Sequence, residues 1–344
     1  MPRLRRVDCS EPGIRRVRRG RGFSYVDERG IRTDDEETLG RIRALAVPPA
    51  WEDVWICPLA NGHIQAVGTD ARGRKQYRYH DDWRRRRDRE KFEEMLDFGR
   101  ALPTLRRRVA RQVRGAEPTR ERVLAGAVRL LDRGFFRIGG ESYAEENNSY
   151  GLATMLKSHV RLEHRNVVVF DYPAKSGQRR LQSVVDADVH RLVTELKARR
   201  GGSDELLAYK NGRRWHDVRS ADINDHVKEL TGGDFTAKDF RTWNATVLAA
   251  VEIAVAGREA TSRAGRRRVI RQAVEAVASY LGNTPAVCRA SYIDPRVFDC
   301  FDAGVTIADA LPARGELDLD DTAVQARVER AVLALLSDED LAAA

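Results

Sequence analysis

Val54-Trp-Ile-Cys57, Asn61-Gly62, His63-Ile-Gln-Ala-Val67, Asp70-Ala-Arg-Gly73 and Arg74-Lys-Gln-Tyr-Arg-Tyr79 follow one another in this 344-residue chain, and the pattern changes directly after them. Two apolar runs flanking Asn61-Gly62 read as a β-hairpin closed by a type I′ turn, because Asn-Gly tolerates positive φ at both central positions. Asp70-Ala-Arg-Gly73 is a second turn, and the segment to Tyr79 alternates with a period of two. Upstream, Gly22-Phe-Ser-Tyr-Val26 is another short strand candidate. From about residue 81 the period becomes helical. Trp83 to Arg114 is amphipathic and very basic, interrupted by Pro103. Thr119 to Leu131 places Val123, Leu124, Ala127, Val128 and Leu131 on one face. Asp186 is an N-cap for a helix with Val189, Leu192, Val193 and Leu196 inward. Further helices fit 220–231, 238–256, 264–281 and 322–336. Between them, Asn166-Val-Val-Val-Phe170 and Arg180-Leu-Gln-Ser-Val184 flank a turn at Ala174-Lys-Ser-Gly177.

The fold class expected is α+β, with a small β-rich N-terminal domain over residues 1–80. A larger, mainly α-helical domain covers 81–344, with an inserted β-hairpin and an acidic C-terminal segment, 316–344. The basic run Arg84-Arg-Arg-Arg87 joins the two. Domains joined this way are expected to close around a duplex like a clamp.

Composition narrows the function. Lys plus Arg number 61 and Asp plus Glu 52, a net charge of +9. Residues 316–344 hold Glu316, Asp318, Asp320, Asp321, Glu329, Asp338, Glu339 and Asp340 against Arg327 and Arg330, so the rest of the chain is more basic still. A body of that charge suggests a polyanionic partner, nucleic acid first. The acidic segment is expected to cover basic surface or simply to aid solubility. No apolar run approaches the length of a membrane span, and Met1–Gly22 carries eight arginines with no apolar signal core. No membrane partner and a cytoplasmic location at the nucleoid are therefore expected. Cys9, Cys57, Cys288 and Cys300 lack any C-x-x-C spacing and read as reduced structural thiols. His159 and His164 are spaced five apart and are a poor metal pair, and no P-loop is present. Neither metal, cofactor nor ATP is expected.

Four places carry candidate chemistry: Gly134-Phe-Phe-Arg137-Ile-Gly-Gly140 after a helix, Lys175 at the hairpin tip, Lys238-Asp-Phe-Arg241-Thr-Trp243 opening a helix, and Leu281-Gly-Asn283-Thr-Pro285 running on to Tyr292. Thr284 and Pro285 are an N-cap and first-turn pair, so Tyr292 falls at the end of a short helix, stopped by Asp294-Pro295. Two arginines, a mobile lysine, a neutral donor and a tyrosine suit transfer of a phosphodiester onto the tyrosine. Taken singly, an arginine after a helix, a lysine in a turn and a tyrosine at a helix end are all ordinary surface or packing residues. Spacing alone does not assemble them.

Order along the chain does. Val47-Pro-Pro-Ala-Trp51, Gly68-Thr-Asp-Ala-Arg-Gly-Arg-Lys-Gln-Tyr-Arg-Tyr79, Phe136-Arg137-Ile-Gly139, Tyr150-Gly-Leu-Ala-Thr154, Lys238-Asp-Phe-Arg241-Thr242 and Leu281 through Tyr292 occur in sequence. On these, residues 20 to 310 resemble the small, poxvirus-like type IB DNA topoisomerases of bacteria. The resemblance implies an ATP-independent enzyme that relaxes supercoiled double-stranded DNA, with a monomer sufficient. It implies Tyr292 as the nucleophile of a 3′-phosphotyrosyl intermediate, Arg137 and Arg241 as phosphate binders, and Lys175 as general acid on the 5′ oxygen. Gln76, Tyr77 and Tyr79 are implied as the strand that reads the major groove, with Lys238 among the DNA-binding residues. Many members have His where this chain has Asn283; its amide is expected to donate the same hydrogen bond while staying neutral. Tyrosine recombinases share the plan but usually carry His three residues before the second arginine, where Lys238 stands here. A site-specific recombinase and a catalytically inactive DNA clamp are the alternatives.

Overall fold

The computed structural model describes residues 3–260, 262–312, 318 and 321–337. The chain divides into two compact units, Met1–Glu93 and Glu94–Ala344. The first holds β1 (Ile14–Arg19), β2 (Gly22–Val26), α1 (Glu36–Ala44), β3 (Glu52–Ile56), β4 (Ile64–Thr69) and β5 (Lys75–Tyr79). The strands form one antiparallel sheet, ordered β2-β1-β3-β4-β5. Ile14, Ile42, Val54, Ile56 and Ala66 are its buried core, with Tyr25, Leu45, Val47 and Trp51 packed against them. Asp35 caps α1 by accepting from the Thr38 N–H at 2.8 Å.

The hairpin expected around Asn61-Gly62 is present as β3–β4, but not its type I′ turn. Neither Asn61 nor Gly62 has positive φ. A longer loop, 57–63, replaces the turn. Its carbonyls of Leu59, Ala60 and Gly62 all accept from the buried Gln65 amide at 2.8–3.1 Å. Asn61 is bound instead to the N-terminal segment, its Nδ2 donating to the Arg3 carbonyl at 3.0 Å and its carbonyl accepting from Arg5 N–H at 2.9 Å. Gly62 is required by close packing: a Cβ there would lie 2.5 Å from Cys57 Sγ. The second turn forms as read. Gly73 has φ +73°, and Asp70 Oδ1 accepts from the N–H groups of Arg72 and Arg74.

α2 (Asp81–Gln112) begins where the helical period begins, and it runs through Pro103 without a break. Proline removes one N–H from the ladder, but Leu102 and Leu105 on either side are fully buried, and that packing outweighs the lost bond. The second unit continues with α3 (Arg120–Gly134), α4 (Glu141–Asn147), β6 (Val160–Glu163), β7 (Val167–Pro173), β8 (Arg179–Val185), α5 (Ala187–Ala198), β9 (Ala208–Asn211), β10 (Arg214–Asp217) and α6 (Ser220–Thr231). It ends with α7 (Ala237–Ala256), α8 (Arg263–Leu281), α9 (Pro285–Ser291), α10 (Arg296–Asp302) and α11 (Thr322–Ser337). The inserted hairpin β7–β8 gains a third strand in β6, and β9–β10 form a second, separate hairpin.

The two caps expected from sequence are made, and Thr119 adds a third by accepting from Arg122 N–H at 3.3 Å. Asp186 accepts from the N–H groups of Asp188 and Val189. Thr284 accepts from Val287 N–H at 3.3 Å with Pro285 in the first turn. Cys57, Cys288 and Cys300 are buried free thiols, and Cys9 is half-buried. The C-terminal helix expected over 322–336 is present as α11, and it buries Val328, Glu329, Val332, Leu335 and Leu336, so it is part of the core. Of the acidic residues of 316–344, Glu316, Asp320, Asp338, Glu339 and Asp340 lie outside the described residues.

Candidate active site

The second unit brings three of the sequence-nominated side chains, Arg137, Lys175 and Arg241, to one cleft, with Asn283 held on Arg137 and the Tyr292 ring beside Arg241. α3 ends in a left-handed residue, Phe135 at φ +55°, which turns the chain so that Arg137 leaves the helix axis. The following glycines let two backbones meet. Arg137 and Ile138 carbonyls accept from the N–H groups of Leu152 and Ala153 at 2.8 and 2.7 Å, and a Cβ on Gly139 would sit 2.8 Å from the Gly151 Cα. Phe136-Arg137-Ile-Gly139 and Tyr150-Gly-Leu-Ala-Thr154 are thus two halves of one joint.

Arg241 stands in the second turn of α7, after Thr236 and Asp239 close a capping box at its start. Its guanidinium is buried, donating to the carbonyls of Phe135 at 2.5 Å and Leu281 at 3.0 Å, while Nε has no partner. The same guanidinium lies 5.2 Å from the centroid of the Tyr292 ring. Burial pulls the Arg241 pKa down, Tyr292 opposes that, and Arg137 adds to it.

α8 ends at Gly282, left-handed at φ +63°, where a Cβ would meet the Arg180 guanidinium at 3.0 Å. That turn presents the Gly282 carbonyl to Arg137 Nη2 at 2.7 Å and brings Asn283 Oδ1 onto the same nitrogen. Asn283 Nδ2 is buried with no hydrogen-bond partner. α9 then carries the chain to Tyr292, half-buried at its C-terminal end, whose N–H donates to the Cys288 carbonyl at 3.0 Å. Lys175 is exposed at the tip between β7 and β8 and lines the same cleft as Arg137 and Arg241.

Three cleft residues were not singled out from sequence. Tyr172 pairs with Arg180 across the β7–β8 register, and its hydroxyl donates to Gln182 Oε1 at 2.8 Å. Burial pushes the Tyr172 phenol up to about 12, against nearby Arg180, Arg241 and Arg137. Gln182 in turn donates to the Gly134 carbonyl, and Arg180 to the carbonyls of Ser279 and Tyr280. The signal was the period of two: Arg180 and Gln182 face the side of the hairpin opposite to exposed Leu181.

The remaining nominated residues lie elsewhere. Lys238 is exposed in the first turn of α7 and does not line the cleft. Gln76, Tyr77 and Tyr79 belong to β5, an edge strand of the other unit. Tyr77 and Tyr79 stack at 5.9 Å on its exposed face, and Lys75 lies 5.8 Å from the Tyr77 ring. Gln76 alternates to the opposite face, and its amide donates to Asp70 Oδ2 at 3.0 Å.

A tyrosine beside two clustered guanidiniums, with an unpaired amide and an exposed lysine, is the side-chain set of a phosphodiester transferase with a tyrosine nucleophile. Comparison with known proteins gives the family. The family model for the eukaryotic DNA topoisomerase I catalytic core matches residues 80–312, and that for the bacterial DNA topoisomerase IB N-terminal domain matches 22–70. The DNA topoisomerase 1B of Acanthamoeba polyphaga mimivirus is 30% identical over 298 residues, covering 82% of this chain and 85% of the relative. The DNA topoisomerase 1 of Daucus carota is 26% identical over 160 residues, 46% of this chain and 19% of that larger protein. The chain belongs to the type IB DNA topoisomerase family.

Proposed function

We propose that Tyr292, Arg137, Arg241, Lys175 and Asn283 form the centre in which this family member cuts and reseals one strand of double-stranded DNA, relaxing its supercoils. The observation that carries the reading is the Arg241 guanidinium set against the Tyr292 ring with its Nε unpartnered, next to an Arg137 held by Gly282 and Asn283. The Tyr292 hydroxyl attacks phosphorus in line and gives up its proton to solvent. The bond to the 5′ oxygen breaks as Lys175 protonates that oxygen, leaving a 3′-phosphotyrosyl ester and a free 5′-hydroxyl. Arg137 and Arg241 hold the nonbridging oxygens, where forked cations stabilise the charge that grows in the transition state. The Asn283 amide supplies a neutral donor to the same oxygens. The cut end turns about the intact strand, and its hydroxyl returns to displace Tyr292. Bond energy is kept in the phosphotyrosine, so the cycle runs without ATP, and one centre per cut lets a monomer suffice. Residues 1–80 serve as a DNA-binding domain, with β5 in the major groove through Tyr77, Tyr79 and Gln76. Gln76 must exchange its Asp70 bond to reach a base edge. Lys238 contacts backbone phosphate. The protein works in the cytoplasm at the nucleoid.

The test is relaxation of negatively supercoiled plasmid in EDTA without ATP, wild type beside Tyr292→Phe. Wild-type activity lost in the variant is the expected result. Relaxation by the variant at the wild-type rate removes Tyr292 as nucleophile. No relaxation by a wild type that still binds DNA returns the inactive clamp.

A further inference from the structure

α8 and its cap end in four successive carbonyls, with no further turn of helix to take them, and cleft arginines bind all four. The Ser279 carbonyl accepts from Arg180 Nη1 at 3.0 Å, and the Tyr280 carbonyl from Arg180 Nη2. The Leu281 carbonyl accepts from Arg241 at 3.0 Å, and the Gly282 carbonyl from Arg137 at 2.7 Å. Cations at this end also meet the negative pole of the helix. Arg137 and Arg241 are the phosphate binders of the proposed reaction. Arg180 comes from β8, and the reaction as written gives it no part.

The surroundings of Lys175 supply one. Its ammonium has no hydrogen-bond or ion-pair partner among the described residues, so the backbone of the tip sets its place. The tip bonds only within the hairpin. Ala174 N–H donates to the Gln178 carbonyl at 2.8 Å, Gly177 N–H to the Ala174 carbonyl at 3.1 Å, and Arg179 to Asp171. None of these bonds fixes the tip relative to the two phosphate-binding arginines. The ties that do so flank it. On β7, the Pro173 carbonyl accepts from Tyr150 N–H at 2.9 Å. On β8, the tie is Arg180, half-buried and opposite Tyr172 in the ladder. Gly282 makes room for it, since a Cβ there would lie 3.0 Å from the Arg180 guanidinium.

We propose that Arg180 is a positioning residue for Lys175. By fastening β8 to the last turn of α8, it sets the hairpin tip, and with it the general acid, relative to Arg137, Arg241 and Asn283. The proposal rests on the topoisomerase reading above. Arg241 keeps a buried, unpartnered Nε for an incoming oxygen, whereas Arg180 keeps no buried nitrogen unpartnered, and its two Nη atoms are engaged by carbonyls. Arg180 therefore acts through Lys175 and not on the phosphate. A reacting group misplaced by about 1 Å costs about 10²-fold in rate, which is the loss expected when this tie is cut.

The experiment measures single-turnover cleavage by the full chain of two suicide duplexes that differ only in the bridging atom of the cleaved bond, a 5′ oxygen or a 5′ sulfur. An alkoxide needs a proton to leave, whereas a thiolate is stable enough near neutral pH to leave without one. Lys175→Met is expected to slow the oxygen duplex by about 10²–10⁴-fold and to cleave the sulfur duplex near the wild-type rate. Arg180→Met should carry the same signature, about 10²-fold slower on oxygen and near wild type on sulfur. The double variant should cleave the oxygen duplex no more slowly than Lys175→Met, because two residues acting through one proton transfer are not additive. Arg180→Lys keeps one cation for the carbonyls, so it should lose less on oxygen and nothing on sulfur, and it carries the test if the methionine variant melts early. Equal loss on both duplexes overturns the proposal, since phosphate binding or a loosened cleft slows both alike. Wild-type cleavage of the oxygen duplex by Arg180→Met overturns it as well. If wild type cleaves but Lys175→Met gains nothing from sulfur, the general-acid step falls first and the proposal with it. A wild type that cleaves neither duplex rejects the topoisomerase reading itself.

Discussion

Arg241 is 4% exposed, and burial of a guanidinium is tolerated only when its N–H groups are satisfied. Two of its nitrogens are satisfied by carbonyls, and the third is not. Asn283 repeats the pattern: Arg137 occupies its oxygen and thereby orients the amide, leaving Nδ2 buried and unpaired. Two idle donors in one cleft represent desolvation already incurred, which an incoming phosphate oxygen relieves. Asn283→Ala is therefore expected to slow single-turnover cleavage of a suicide substrate by about 10²-fold, the scale of one lost transition-state donor, with duplex affinity retained. Asn283→His should recover most of the rate. Cleavage by the alanine variant at the wild-type rate removes the role. The type of residue at each position was legible in the sequence. That Gln76 faces away from Tyr77 and Tyr79 was legible too, from alternation along β5, but its capture by Asp70 depends on the turn Asp70–Arg74 folding back beside it.

At the level of elements, local signals transferred well wherever a side chain closes on its own backbone. Asp186 and Thr284 cap as read because a cap needs only residues three positions apart. Asp186 also takes an ion pair from Arg129 at 2.7 Å, tying α5 to α3. Burial would raise its pKa, but the Val189 N–H and Arg129 outweigh burial and hold it below the ordinary carboxylate value. A depressed carboxylate stabilises the fold above its unfolded value, and the contribution is lost as pH falls through the folded value. Asp186→Asn should cost about 1–2 kcal/mol at pH 7, and its deficit against wild type should shrink in melts below pH 4. A deficit independent of pH assigns the cost to packing. The signals that failed were those decided by distant partners. Asn61-Gly62 resembles a tight turn, yet Arg3 and Arg5 claim its polar groups. Pro103 resembles a break, yet the buried leucines around it carry α2 through.

Across the whole second unit, the C-terminal helix bears on how Arg241 is held. Arg106 donates to both Asp132 and Glu329, at 2.6–2.8 Å, and Trp243 Nε1 donates to Glu329 at 3.3 Å. Trp243 is two residues past Arg241, and Asp132 is three before Phe135, whose carbonyl Arg241 uses. Removing residues 313–344 should therefore lower stability by much of the 5–15 kcal/mol typical of a domain, since four buried aliphatic side chains alone contribute about 6–10 kcal/mol. Thermal melting checks this. A truncation that melts like wild type and binds DNA more tightly restores the role of an acidic cover.

By itself the sequence determined the α+β class and the caps at Asp186 and Thr284, because these depend on periodicity and on neighbours a few positions away; the candidate catalytic residues came from the resemblance of ordered motifs to a family, not from local pattern. The tertiary structure alone decided that Arg137, Lys175 and Arg241 line one cleft, with Asn283 on Arg137 and the Tyr292 ring 5.2 Å from Arg241. It alone decided that Tyr172, Arg180 and Gln182 support them, and that α11 is core. Those facts rest on burial and on hydrogen bonds between residues 40 to more than 200 positions apart, and no local pattern encodes which distant partner will desolvate a given side chain.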